Sequence, residues 1–240
     1  TYVSLANLKQ RFSTKSAHSD QACSKSGQCL DTRELLAVQD AAILCLATIA
    51  RVRDHSTGNH ILRTQHYVKA LAEHLRKHPD YKHELNDETI ELFYKTSALH
   101  DIGKVGIPDN ILQKPGELTP EEYEIMKTHA QIGYEMLKNS NKTILKAAAI
   151  IAHQHQEKYD GSGYPQALSG EDIHIYGRIT AVADVFDALG SDRCYKKAWD
   201  DERIINIFKD ERGKHFDPKL IDLFLNNIDI FTSTREKFSD

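Results

Sequence analysis

The chain has 240 residues, a formal net charge of -4 and 40% hydrophobic residues. It is long enough to bury a substantial core. Its acidic balance excludes bulk attraction to DNA, so a nucleotide ligand must be held by a local basic site or by metals. No signal-peptide pattern opens the chain, and the longest uncharged run, Ala41 to Ala50, is shorter than the roughly 20 residues that span a bilayer. A cytoplasmic protein without a membrane span is expected. Cys23, Cys29, Cys45 and Cys194 lack the close thiol pair of a zinc site and read as reduced thiols.

In chain order, Tyr2 to Phe12 carries a weak helical pattern, and the Ser/Lys/Gly-rich stretch Ser13 to Gln28 reads as a linker. Residues 1–30 are therefore expected to be the tail of another unit, and 31–240 the main domain. A helix is predicted from Asp31-Thr32-Arg33-Glu34 onward, with Leu35, Val38, Ala42, Cys45, Ile49 and Val52 at helical spacing. The run Ala41 to Ala50 within it reads as a buried segment or a helix-helix interface. Further helices are predicted over Gly58 to Arg76 and over Asp87 to Leu99 with Asp87 as cap. Thr119-Pro120-Glu121-Glu122 opens one that runs to Lys138, with an N-cap, Pro at the first position and Glu at the third. Lys142 to His155 follows, then a glycine-bearing loop, Gln156 to Tyr176. Gly177 to Leu189, Asp201 to Lys209, and a last helix from Asp217-Pro218 through Leu225 complete the chain. No run alternates with period two, so the fold class is all-α.

Histidine is the commonest metal ligand, and there are 13 here. The densest chemistry is His100-Asp101-Ile102-Gly103-Lys104, two candidate ligands followed by a cation. His60 lies near one predicted helix start, His129 in mid-helix, and His155 at a helix end. Asp184 sits among apolar residues, where an unpaired carboxylate is costly. Each of several helices thus offers one imidazole or carboxylate, the way an α-bundle builds a metal site. A His/Asp set suits Fe, Mn, Zn or Ni and shows no thiolate selectivity. An aspartate beside a histidine can bridge two ions placed for in-line attack on a phosphodiester. His153 is two residues from His155, faces nearly the opposite way, and reads as non-ligating.

Five ordered motifs resemble the HD-GYP domains, bacterial cyclic-dinucleotide phosphodiesterases of the HD superfamily. They are Thr57-Gly58-Asn59-His60, His100 to Lys104, Asp160-Gly161-Ser162-Gly163-Tyr164-Pro165, Ala181 to Leu189, and Ser191-Asp192-Arg193-Cys194-Tyr195-Lys196. The resemblance implies an HD-domain helical bundle with a metal centre between helices. It implies hydrolysis of cyclic di-GMP by metal-activated hydroxide. Position by position, it makes His60, His100, Asp101, His129, His155 and Asp184 metal ligands. It makes Lys104, Arg193 and Lys196 phosphate contacts, with Asp101 and Lys104 the catalytic pair. Gly163 and Tyr164 belong to a loop that either shapes the pocket edge or also meets substrate or partners such as diguanylate cyclases. Gly161 and Gly163 there are free to take positive φ. Thr1 to Leu5 resembles the end of a receiver domain, which makes a receiver a further partner. The helix around Ala41 to Ala50 would then transmit its state or join a homodimer.

Two departures narrow the reading. Ser56 stands where the family often has Glu, and Gln156 where it often has the second His of a pair. Both positions are associated with a third metal, so two divalent ions, Fe or Mn before Ni or Zn, and release of the linear dinucleotide are expected. The same chemistry on 3',3'-cyclic GMP-AMP, and a non-catalytic dinucleotide sensor, are the alternatives.

Overall fold

The computed structural model describes residues 32–54, 59–191 and 197–239. Residues Leu36–Asp240 form one compact unit, distinct from Thr1–Leu35. Among the described residues there is no strand, and the ten α-helices are α1 (Thr32–Asp54), α2 (His60–Leu75), α3 (Asp87–Thr96), α4 (Asp109–Leu112), α5 (Pro120–Leu137), α6 (Thr143–Gln154), α7 (Ile175–Gly190), α8 (Asp201–Asp210), α9 (Pro218–Asn226) and α10 (Ile228–Lys237). Short 3-10 turns cover Ser97–Leu99, Ile102–Gly106 and Gly170–Asp172.

The main core gathers Tyr67, Val68 and Leu71 of α2, Phe93 of α3, Ile151 of α6, and Ile179, Val182 and Phe186 of α7. Phe208, Phe224 and Phe231, one each from α8, α9 and α10, close it. Phe186 is its hub, edge-on to Tyr67 at 5.1 Å and to Phe224 at 5.2 Å. Each such fully buried side chain contributes about 1.5–3 kcal/mol by leaving water. A second cluster joins Ile43, Ala47 and Ala50 of α1 to Ile61, Ala98, Leu99, Ala148 and Ala152. Helix α6 is shared between them, with Ala147 and Ile151 in the first and Ala148, Ala149 and Ala152 in the second.

Helix starts follow local chemistry. Thr119 and Glu122 form a complete capping box at α5, with Pro120 at the first position. Helix α3 starts one residue from expectation: Asn86, not Asp87, accepts the Thr89 N–H at 2.9 Å. After Thr96 that helix tightens into 3-10 geometry, which sets His100 and Asp101 at a turn between two 3-10 segments. Two helices depart from the sequence pattern altogether. α4 is a single turn, and α10 continues after Asn227 where the last helix was expected to end at Leu225; α10 buries only Phe231.

The run Ala41 to Ala50 is buried on one face only. The six residues at helical spacing, Leu35, Val38, Ala42, Cys45, Ile49 and Val52, are exposed, with Leu35 at 57% and Val52 at 67%. The buried face is Ile43, Ala47 and Ala50, and Asp40 pairs with Lys95 at 2.9 Å. By length and composition, Arg33–Arg53 is also long and apolar enough to cross a bilayer, because helices continue through the charges that bound the uncharged run.

Candidate metal centre

Six side chains converge from five parts of the fold. His60 is the first residue of α2, His129 lies in α5, His155 follows the last turn of α6, and Asp184 lies in α7. His100 and Asp101 come from the turn after α3. They form two groups of three, His60 with His100 and Asp184, and Asp101 with His129 and His155, each compact enough to hold a metal ion. Asp184 Oδ1 lies 3.7 Å from His60 Nε2 and 3.7 Å from His100 Nε2. Asp101 faces both groups: Oδ1 lies 3.4 Å from His129 Nε2 and 3.6 Å from His155 Nε2, while Oδ2 lies 3.4 Å from His100 Nε2.

The ring orientations leave the same nitrogen free each time. His100 Nδ1 lies 2.8 Å from the Ser97 carbonyl, His129 Nδ1 2.7 Å from that of Met126, and His155 Nδ1 3.1 Å from that of Ala152. A carbonyl only accepts, so each Nδ1 carries a proton and each Nε2 is the atom turned towards the carboxylates, the one that would bind a cation. The Nε2 atoms of His129 and His155 face each other at 3.3 Å, a separation that suits a shared proton or a cation near both. His100 Nε2 and Asp101 Oδ1 are buried without a hydrogen-bond partner. A buried polar group without a partner is costly. The donor set therefore fits divalent cations.

The electrostatics are those of a tight charge cluster. Burial pulls the His100 imidazole down, but the Asp101 and Asp184 carboxylates outweigh it and raise it to about 9. Burial pushes His129 down to about 4. Burial would raise Asp101, yet Lys104 and His100 hold it well below the carboxylate range. Asp184 is likewise held low against burial by His100 and His60. Lys104 Nζ sits 2.8 Å from Asp101 Oδ2, at the edge of the cluster.

The loop after α6 closes one side. Glu157 is buried and accepts the N–H groups of Gln166 at 2.7 Å and Leu168 at 3.1 Å. Gly161 takes a positive φ of 85°, as a turn glycine does, whereas Gly163 does not. A Cβ on Gly163 would stand 2.2 Å from the Lys158 nitrogen. Its glycine is required by close backbone approach, not by turn geometry. The Tyr164 ring meets His129 edge-on at 6.2 Å, with Lys127 Nζ 5.8 Å from its centre. His153, by contrast, stacks on Tyr134 at 4.1 Å and reaches Gln131 at 2.9 Å, in neither group.

One carboxylate the sequence pattern does not single out is Asp187. It is 1% exposed, lies 2.8 Å from His60 Nδ1, and accepts two hydrogen bonds from Arg63. A second carboxylate about one helical turn after Asp184, in the apolar run Ala181 to Leu189, is the signal that marks it. Ser56, Arg193 and Lys196 lie outside the described residues. A cavity of about 20 Å³ is lined by His60, His100, Asp101, Lys104 and, from α1, Ala50 and Arg51. A larger one, about 550 Å³, involves none of the six converging residues. Its charges pair locally, Lys219 with Asp80 and Glu171, and Arg178 with Asp217.

Comparison with known proteins agrees with this architecture. The HD domain family model matches residues 47–220. A probable cyclic di-GMP phosphodiesterase of Vibrio cholerae is 46% identical over 213 residues, 86% of this chain and 48% of that protein. A 3'3'-cGAMP-specific phosphodiesterase of the same organism is 44% identical over 195 residues, 81% of this chain and 36% of that protein. The chain thus spans about half or less of these relatives' length. A crystal structure of a V. cholerae cyclic GMP-AMP specific phosphodiesterase shares the fold, with a TM-score of 0.54 and 17% identity over 80% of this chain and 50% of that one. The chain belongs to the HD domain family, and its motifs are those of the HD-GYP branch.

Proposed function

We propose that the chain is the catalytic part of a cyclic di-GMP phosphodiesterase, in which His60, His100 and Asp184 would hold one divalent ion and His129 and His155 a second, with Asp101 placed to serve both. The observation that carries this is the pair of three-residue groups, with His129 and His155 at Asp101 Oδ1 and His100 of the other group at Asp101 Oδ2. Bound there, the ions supply Lewis acidity to a phosphate and acidify a water molecule. The chain's own groups do the rest. Asp101 presents one oxygen to each group. Lys104 stands ready to exchange its 2.8 Å contact with Asp101 for a phosphate oxygen. Buried His100, His129 and His155 keep their Nδ1 protons on carbonyls, which fixes the ring directions and leaves Nε2 as the atom that would meet a cation. Arg193 and Lys196 add phosphate contacts, and Tyr164, beside His129, meets the substrate at the rim.

Two ions, and with them release of the linear dinucleotide, follow from six ligands in two triads and from Gln156 and Ser56 at the positions of a third site. Iron or manganese suits the His/Asp donors. The protein acts in the cytoplasm, where its nucleotide substrate resides. The relatives' extra length supports further domains, a receiver among them, and the loop at Tyr164 is a dock for diguanylate cyclases. The exposed residues of α1 recur at alternating spacings of three and four, the seam of a two-stranded coiled coil, which supports a homodimer.

A second reading is cleavage of 3',3'-cyclic GMP-AMP, favoured by the near-equal identity to relatives of both names. The test is metal content measured beside product analysis on both dinucleotides, for wild type and Asp101→Ala. Two ions and a linear dinucleotide from wild type, with both lost in the variant, are expected. A fully metal-loaded wild type that leaves cyclic di-GMP intact rejects the first reading.

A further inference from the structure

Among the four histidines of the centre, His60 is held differently. His100, His129 and His155 each anchor Nδ1 on a carbonyl three residues back in their own segment. His60 is the first residue of α2, so no helical carbonyl lies behind it. Its Nδ1 instead meets Asp187 Oδ2 at 2.8 Å, from α7. Asp187 is gripped by Arg63, one turn along α2, through Nε to Oδ1 at 2.6 Å and Nη2 to Oδ2 at 3.1 Å. Arg63 Nη1 then donates to the Phe238 carbonyl at 3.0 Å. The segment after α10 is itself fixed at two further points. The Phe238 ring stacks on His66 at 4.6 Å, and Asn59 Nδ2 donates to the Ser239 carbonyl at 3.0 Å. Asp187 and Arg63 are 1% and 2% exposed, so the relay is dry and its charges are not screened by solvent.

We infer that Asp187 and Arg63 are positioning residues for His60, and that the segment around Phe238 sets, through them, how tightly the His60, His100 and Asp184 group holds its ion. The inference rests on the two-ion reading above. Its physical basis is the usual role of a carboxylate behind a ligating imidazole: it fixes the tautomer and ring direction and makes the other nitrogen more basic. Here that role depends on tertiary structure, whereas the other three imidazoles carry their support within their own segments. One ion of the pair is therefore the removable one.

The test is equilibrium dialysis against Mn2+, with ion count and affinities read for wild type, Asp187→Asn, Phe238→Ala and the double variant Arg63→Met with Asp187→Leu. The double variant removes both buried charges together, which leaves no unpaired charge in the core and preserves folding. Wild type is expected to bind two ions. Asp187→Asn and the double variant are expected to keep one at wild-type affinity and to bind the other about 10–100-fold more weakly. Phe238→Ala should weaken the same ion by a smaller factor. Measured in chelator, the thermal midpoint of the double variant should stay near that of wild type, which separates positioning from general stability. Two ions at unchanged affinity in the double variant overturn the inference and leave the two-ion reading standing. Equal weakening of both ions also overturns it, because that is loosening of the whole fold. A wild type that takes up no ion overturns both.

Discussion

At the scale of single residues, two glycines show how backbone contact shapes the centre. A Cβ on Gly103 would stand 1.9 Å from the His129 carbonyl oxygen and 2.5 Å from the Gly133 nitrogen. The turn that carries Asp101 therefore rests directly on the helix that carries His129. Gly103→Ala should force the two apart, lower stability by about 1–3 kcal/mol as overpacking does, and weaken the ion shared by Asp101, His129 and His155. Denaturant midpoints and ion counts on one preparation check this, and a variant with unchanged ion affinity rejects it. Gly163→Ala acts elsewhere. Its Cβ would meet the Glu157 and Lys158 backbone, so the loop and Tyr164 should shift while the six ligands stay. The expected result is full ion content with turnover reduced at least about tenfold, since misplacing a contact group by about 1 Å costs on that order or more. Loss of ions from Gly163→Ala would mean that the loop supports the centre itself.

At the scale of elements, the α1 seam and the contact of His215 with the loop of Tyr164 carry separate predictions. Replacing Val38 and Ile49 with Lys puts charge into the exposed heptad seam and leaves the buried face, Ile43, Ala47 and Ala50, untouched. Sedimentation should then report a monomer in place of the proposed dimer, with unchanged helix content. A dimer that survives both charges assembles through another surface. His215 stacks on Phe216 at 4.2 Å, and its carbonyl accepts the Tyr159 N–H at 3.1 Å, which ties it to the loop of Tyr164. Burial, with Lys158 nearby, pushes its imidazole down to about 4. An unfolded imidazole titrates near 6.5. The unfolded chain therefore takes up a proton that the folded one refuses, and stability falls as pH drops from about 6.5 towards 4. His215→Gln should flatten that part of the acid limb, measured as urea midpoints at pH 7, 5 and 4; an unchanged slope would place the loss in other groups. The same elements show what was legible in the sequence. Helix α5 could be read from Thr119 to Lys138 because its cap is local chemistry. The face of α1 could not, because heptad spacing states that a helix has an apolar stripe and not which neighbour covers it. The six converging residues could be picked out from motifs, whereas the contact of Asp187 with Arg63 and His60 depends on α2 meeting α7, a contact without a local pattern. Helix α10 was hidden for the related reason that it buries one side chain, Phe231.

At the scale of the whole molecule, the centre joins parts of the chain that are otherwise linked through two separate apolar clusters. His60 starts α2 beside the α1 cluster, and Asp184 belongs to the helix that carries Phe186 of the main core. Without cations the pocket keeps four imidazoles, two carboxylates and at least two buried atoms without partners, which is a cost borne by the folded state alone. Cations remove that cost and bind the folded chain in preference to the unfolded one. Ligand present at about 100 times its dissociation constant adds about 2.7 kcal/mol per site. For a domain of this size each kcal/mol moves the thermal midpoint by about 2–4 °C. Chelation should therefore lower the midpoint by about 5–10 °C for one ion and by more for two. The unfolding should remain cooperative across α2, α5, α6 and α7, because their apolar contacts persist. Re-adding Mn2+ should restore the midpoint in proportion to the logarithm of its free concentration. A midpoint that ignores both chelator and Mn2+ would show that the six groups are balanced by the protein alone, and the two-ion assignment would fall with it.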